Sequence, residues 1–302
     1  MAANWIDLVD PDPARLREAS PRDLEETALE LLLAEPKHED EPRPTLQGHG
    51  DYVFGVFLLA RAVPDEDCIF YQEIGIVLTC ETLLTVRKTP PGREPYSLDA
   101  VRAAVRPTDS AGMIAYRIVD DIAECYLDLV DDVDAEIDEL EDRVDTQSSE
   151  TTRARISDLR HDLLHIRRTL APMRDAIRRV VDGVVDVEEG EEVFPHDVEI
   201  AFNGAYDKLL RALDGLELSR DLLSSVRDYH VSKIANDQNE VMKRLTVIAG
   251  LVLLPTFVVG LYGQNFVDIP ELRWHYGYAY AWGVIVAITV AQLVWFRRKG
   301  WL

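Results

Sequence analysis

Two stretches near the C-terminal end carry no charge: Leu245 to Val267, 23 residues, and Tyr276 to Phe296, 21 residues. Each exceeds the roughly 18 apolar residues that mark a membrane-crossing helix. Only eight residues, Asp268 to His275, separate them, so the spans are predicted to form a hairpin with both chain ends on one side. Lys243 and Arg244 precede the first span and Arg297, Arg298 and Lys299 follow the second, whereas the loop holds Arg273 alone. By the bias of Lys and Arg towards the cytoplasm, both termini are predicted to be cytoplasmic in a multi-pass protein of the plasma (inner) membrane. Trp274, Trp282, Trp295 and Trp301 lie within or beside the second span, where interfacial indoles belong. The first 30 residues are rich in Asp, Glu and Arg without an apolar run, which predicts no cleavable signal peptide.

Charge is segregated from these spans. The 302 residues carry 32 Lys+Arg against 55 Asp+Glu, a net charge of -23; with the loop at -1 and the tail at +3, residues 1–244 hold -25. Such acidity argues against a nucleic-acid partner, which needs clustered Lys and Arg, and favours cations. Cys68, Cys80 and Cys125 have neither even count nor CxxC spacing, so they read as reduced core residues.

Within the cytoplasmic part, Ser20-Pro21-Arg22-Asp23 reads as a helix start before Leu24, Leu29, Leu31 and Leu32, and the Pro-rich segment Pro36 to Pro44 ends that helix. Runs rich in β-branched and aromatic residues predict strands at Tyr52–Ala60, Cys68–Ile74, Gly75–Cys80 and Leu83–Val86. Residues 1–110 thus form a predicted α/β domain. From Met113 the pattern becomes helical, with Ile122, Tyr126, Leu129, Val133, Ile137, Leu140 and Val144 on one seam. This helix carries 13 acids and one Arg between Asp120 and Asp145; the next segment, Arg153 to Arg179, has eight Arg against three Asp and a seam of Ile156, Leu159, Leu163, Ile166 and Leu170. An antiparallel hairpin over 111–190 places the two charge runs together, either as a solvated face or as a field that attracts divalent cations. After the acidic linker Asp186 to Glu192, Pro195 starts a helix predicted to run from Asp197 to Tyr262, because no further proline occurs before Pro255. Its 196–244 portion is a stalk, 245–263 the first span, 264–275 the outer loop, 276–296 the second span and 297–302 a basic tail. The fold class is α+β with two C-terminal membrane helices, and so long a helix calls for neighbours, for which copies of the same chain are the expected source.

Steps of seven from Asp228 give Ala235, Met242, Ala249, Thr256 and Gly263; the interleaved series is Ser232, Asn239, Thr246, Leu253 and Gly260. One stripe of the first span is therefore small or polar, which fits close helix packing or pore lining. Enzymatic readings find little support. His161-Asp162-Leu163-Leu164-His165 sets two His one turn apart, but a zincin needs Glu after the first His, and Asp162 is shorter. His196-Asp197 reads as a helix start, and neither a Gly-rich phosphate loop nor a Gly-x-Ser-x-Gly elbow occurs. No catalytic residue, and no enzyme, is predicted.

The stripe ends at Tyr262-Gly263-Gln264-Asn265-Phe266, followed by Val267-Asp268-Ile269-Pro270-Glu271-Leu272. This resembles the CorA family of magnesium and cobalt channels, whose signature is Tyr-Gly-Met-Asn-Phe before a Pro-Glu-Leu loop. Asn239-Glu240-Val241-Met242-Lys243 with Leu245-Thr246, the terminal Lys299-Gly300-Trp301-Leu302, Arg167-Arg168 through Pro172 and Arg174, and Arg43-Pro44 are similar to further family patterns. The resemblance implies a funnel-shaped homopentamer that passes hydrated Mg²⁺, and also Co²⁺ or Ni²⁺, without a cofactor other than transported and regulatory Mg²⁺. It implies a selectivity filter of Gly263, Gln264 and Asn265, with Asn265 holding the ion through its water, and Asp268 and Glu271 in the outer loop. The pore is then lined by Asp228, Asn239, Met242, Leu245, Thr246, Ala249, Leu253, Thr256 and Gly260, with Met242, Leu245 and Leu253 as the apolar constriction. Family members close when cytoplasmic Mg²⁺ bridges acids between subunits; one such acid is expected just before Tyr206, where this chain has Gly204, leaving Asp207 as a candidate. Gln264 stands where the family has Met, and zinc transporters of the superfamily vary there too, so Zn²⁺ is the alternative cargo. A membrane-anchored coiled-coil scaffold is the alternative without transport, and it leaves the polar stripe unexplained.

Overall fold

The computed structural model describes residues 3–36, 41–63, 68–187, 192–265 and 269–301. The chain divides into two units, residues 1–227 and 228–302.

In the first unit, strands β1 (Asn4–Val9), β2 (Thr45–His49), β3 (Tyr52–Val63), β4 (Cys68–Leu78) and β5 (Thr82–Arg87) form one sheet in the order β1-β5-β4-β3-β2. β1 runs parallel to β5 and the other neighbours are antiparallel. The alternation of side chains along a strand divides the core. Val53, Phe57, Leu59, Ile74, Ile76 and Leu78 face the larger cluster, while Tyr52, Phe54, Val56, Val77, Leu84 and Val86 face a smaller one. The smaller face is covered by α1 (Pro13–Ala19) and α2 (Glu26–Leu33), through Leu16, Ala28 and Leu32.

Three sequence readings are corrected here. Ser20 does not start a helix: it ends α1, and its hydroxyl donates to the Arg22 carbonyl. The helix that carries Leu29, Leu31 and Leu32 starts instead at Glu26, and a capped start lies earlier, in α1, where the Asp12 carboxylate accepts the Arg15 N–H at 2.8 Å and Pro13 occupies the first turn. No strand break occurs at Gly75, because β4 is continuous there; the glycine is needed since a Cβ would overlap the Leu32 side chain of α2. β1 and β2 are additional strands. β1 is fixed by Asp7, whose buried carboxylate takes two hydrogen bonds from Arg87, at 3.0 and 2.6 Å, one from Arg102 at 2.7 Å and one from the Thr85 hydroxyl at 2.9 Å.

On the larger face lie α3 (Asp99–Ala104) and the long helices α4 (Ala111–Arg143) and α5 (Ser149–Val181), the latter two capped by Ser110 and Ser148 hydroxyls. Their predicted seams are all buried, from Ile122 to Val144 and from Ile156 to Leu170. Arg155 meets Glu136 across the hairpin. Helix α6 (His196–Tyr262) runs for 67 residues and continues past Pro255; it begins by packing Val198, Phe202, Ala205 and Leu209 into the same core.

The second unit holds two long apolar helices, each long enough to cross a membrane. Beyond α6, a 3₁₀ turn at Pro270–Arg273 leads to α7 (Gly277–Arg298). The two helices meet where Gln292 Nε2 donates to the Gly250 carbonyl at 3.0 Å, and Phe296 lies so close to Gly250 that a Cβ there would sit 3.2 Å from the ring. Val247, Val258 and Phe296 are the large side chains buried between them.

The Asp7 cluster yields a stability prediction. Asp7→Ala leaves Arg87, only 14% exposed, without its carboxylate, and stripping one partner from a buried pair costs about 3–5 kcal/mol. Thermal unfolding of the purified full chain is expected to begin at a markedly lower temperature in the variant. A cost below about 1 kcal/mol, the size of an exposed pair, contradicts this role.

Candidate functional site

An α-helix turns about 100° per residue, which fixes what α7 leaves uncovered. Taking Val247, buried against α7, as the origin, Leu245, Ala249, Thr256 and Gly263 lie about 160–180° round the helix. Met242, Thr246, Leu253, Gly260 and Asp228 lie about 100–140° away, and Asn239 marks the edge at about 80°. All ten are exposed in the single chain; Leu253, an apolar residue, is 68% exposed. The small and polar stripe therefore lies on the side of α6 away from α7.

The stripe's hydroxyls are oriented. Thr246 Oγ1 donates to the Met242 carbonyl at 2.8 Å and Thr256 Oγ1 to the Val252 carbonyl at 2.7 Å. Each hydroxyl proton is used within the helix, so the oxygen's lone pairs remain as acceptors. Such an oxygen can receive a hydrogen bond from the water shell of a cation.

At its outer end α6 closes with two backbone bonds, Gly263 N–H to the Val259 carbonyl at 2.9 Å and Gln264 N–H to the Leu261 carbonyl at 3.4 Å. Gly263, Gln264 and Asn265 are exposed just beyond the last helical turn. The final helical carbonyls and the negative end of the helix dipole gather there. Asp268 lies outside the described residues. Glu271 sits in the 3₁₀ turn, where its backbone carbonyl comes so close to position 277 that only glycine fits.

The candidates of the first unit are dispersed. Lys208 of α6 bridges Asp120 and Glu124 of α4 at 2.9 and 2.8 Å. Burial opposes the Lys208 charge, but the two carboxylates outweigh it and raise its pKa. Asp121 beside them is raised by burial, with Arg61 and Lys208 opposing. Gly204 and Asp207 are both exposed, and a side chain at 204 would find open space beside the Tyr116 hydroxyl. His161 is exposed on α5, while His165 one turn on has its Nε2 3.0 Å from Glu41 and its ring against Tyr71. Among the described residues of one chain, no group of three or more His, Cys, Asp or Glu could hold a metal ion. Cys80 and Cys125 are half-buried thiols outside any disulfide.

Two features of the hairpin escaped sequence reasoning, the Gln292–Gly250 contact and the fold of the tail. Their signals were a carboxamide and a glycine in otherwise apolar spans, and a Gly directly after the last helical residues.

A family model described as CorA-like Mg²⁺ transporter protein matches residues 2–298. The putative metal ion transporter YfjQ of Bacillus subtilis is 36% identical over 190 residues, 63% of this chain and 58% of that protein. The cobalt/magnesium transport protein CorA of Thermotoga maritima is 31% identical over 266 residues, covering 86% of this chain and 73% of its own length. Among solved structures, the complete CorA magnesium transporter of Methanocaldococcus jannaschii superposes with a TM-score of 0.79 at 21% identity, over 99% of this chain and 91% of that one. An α/β domain, a long helix and two apolar C-terminal helices, with a family match across almost the whole sequence, lead to one conclusion: the chain belongs to the CorA-like Mg²⁺ transporter family.

Proposed function

We propose that the protein is a channel-type transporter that passes hydrated divalent cations, Mg²⁺ and also Co²⁺ or Ni²⁺, across the plasma membrane, with both termini cytoplasmic. The observation that carries this reading is the exposed stripe of acceptors and small side chains on α6, opposite the face that α7 covers. A pore assembles when several α6 helices, five in a homopentamer, turn this stripe towards a common axis. Met242, Leu245 and Leu253 then narrow the path with apolar rings. Thr246 and Thr256 offer inner acceptor rings, Ala249 and Gly260 keep the bore open, and Asn239 and Asp228 continue the polar line towards the cytoplasm.

At the outer mouth, Gly263, Gln264 and Asn265 act as the filter. Mg²⁺ loses water reluctantly, so the Asn265 carboxamide oxygens and Gly263 carbonyls capture the ion through its hydration shell. Being neutral, they release it again, as conduction requires. Each α6 C-terminus adds about half an elementary negative charge at the same place, which draws cations without a fixed carboxylate in the bore. Glu271, with Asp268, supplies the acidic approach. The driving force is the membrane potential, about 4.6 kcal/mol per divalent ion at 100 mV inside negative. Regulatory Mg²⁺ binds acids contributed by different copies.

Two measurements test this reading. Purified protein in proteoliposomes is expected to carry Mg²⁺, Co²⁺ and Ni²⁺ without nucleotide, at rates that rise with an imposed inside-negative potential. ATP-dependent flux contradicts passive conduction, absence of flux from intact oligomers favours a scaffold, and selective Zn²⁺ passage moves the cargo to zinc, the direction in which Gln264 points.

In the same assay, Asn265→Ala should leave the oligomer intact and cut flux at least tenfold, since one hydrogen bond to a charged partner is worth about 1.5–3 kcal/mol. Gln264→Met should conduct. Normal transport by Asn265→Ala contradicts the filter assignment.

A further inference from the structure

The last residues of the chain do not trail from α7 but fold back on it. Gly300 adopts φ 68°, its N–H bonds the Arg297 carbonyl at 3.2 Å, and the Trp301 N–H bonds the Phe296 carbonyl at 3.0 Å. These two bonds form a Schellman motif, in which glycine alone takes the left-handed position without strain. Its usual hydrophobic contact is present too, because the Trp301 ring stacks on Phe296 at 5.9 Å and 21°. Phe296 in turn fills the space left by Gly250. Trp301 is thereby held beside α6, where it and Gly300 close one side of a cavity of about 780 Å³ whose other wall is Asn236, Asn239, Glu240, Lys243 and Arg244.

This cavity has three properties of an anion seat. Its lining carries a net +1 within a chain of -23, and the three cations Arg297, Arg298 and Lys299 directly precede the Gly300 and Trp301 that close it. Arg244 is matched by Glu240 at 2.5 Å, but among the described residues Lys243, Arg297, Arg298 and Lys299 have no ion-pair partner. The wall also offers carboxamide donors and an indole, a side chain with an apolar body and a polar edge that suits the headgroup level of a bilayer.

Its position selects the ligand. Of its α6 wall, Asn236, Glu240 and Lys243 lie within about 40° of Val247, on the α7 side, and Asn239 at about 80° marks the border with the polar stripe. The cavity thus lies mainly on the α7 side of α6, at the basic end of both apolar helices, the level of the cytoplasmic headgroups in the topology used for the transport reading. We propose that it seats the headgroup of an anionic phospholipid from the cytoplasmic leaflet, with Lys243 on the phosphate and Trp301 against the glycerol and upper acyl carbons. The assignment rests on the membrane topology used for the transport reading, and its test is independent of ion flux.

The test is lipid retention by the intact oligomer purified in neutral detergent, supplied with phosphatidylglycerol or phosphatidylcholine and measured by native mass spectrometry. Wild type is expected to retain phosphatidylglycerol preferentially, and Lys243→Gln to weaken that retention about fivefold, the value of one cation at a lipid surface. Gly300→Val preserves every charge but breaks the tail motif, and is expected to weaken it by at least as much. Excess inorganic phosphate should not displace the lipid. Equal retention of both lipids, displacement by phosphate, or unchanged retention in Gly300→Val while the oligomer stays intact would each overturn the proposal, the last by reducing the effect to unspecific attraction.

Discussion

A helix in hydrocarbon cannot face lipid with hydroxyls and acceptor oxygens at no cost, because no water is there to bond them. That constraint organises the second unit. α7 covers the Val247, Gly250 and Val258 face of α6, and the face with Thr246, Thr256 and the glycines is left open. A single hairpin does not resolve this imbalance. The proposed association through α6 resolves it, with a path whose lining is polar where an ion needs its water and apolar where passage must be controlled. The same asymmetry separates the two sides of the hairpin, with conduction proposed on one and a lipid seat on the other.

Electrostatics act on a longer scale. The -25 on residues 1–244 places a strongly anionic body before the first span, and like charges in neighbouring copies repel. Internal pairs such as Lys208 with Asp120 and Glu124 relieve part of it within one chain. In the proposed assembly the remaining acids are the candidate ligands for Mg²⁺ shared between chains. The fold itself rests on the α4–α5 seam, the two faces of the sheet and the buried Asp7 cluster.

Elements governed by local periodicity were legible in the sequence. Uncharged runs gave the two apolar helices, three- and four-residue spacing gave the α4 and α5 seams, and the absence of proline before Pro255 gave the long helix. What was missed depends on partners distant in sequence. β1 carries Asp7 at its centre, which reads as coil until Arg87 and Arg102 are seen to neutralise it. β2 buries only Leu46 fully, and α1 only Leu16. Gly75 looked like a turn because glycine serves both turns and close approaches, and only the position of Leu32 decides between them. The candidate stripe was visible from its seven-residue period, whereas the face that α7 covers, and hence the direction in which the stripe looks, needed the Gln292–Gly250 contact.

The central claim is that the Ala249–Thr256 face of α6 looks onto water. Single cysteines at Ala249, Thr256 and Leu254, the last about 20° from Val247 on the α7 side, can be compared for reaction with a charged thiosulfonate reagent in proteoliposomes, against the parent chain as background. The account predicts rapid modification at Ala249→Cys and Thr256→Cys accompanied by loss of divalent-cation flux, and slow modification without block at Leu254→Cys. Equal reactivity at all three positions, or modification of Thr256→Cys that leaves flux unchanged, would contradict it.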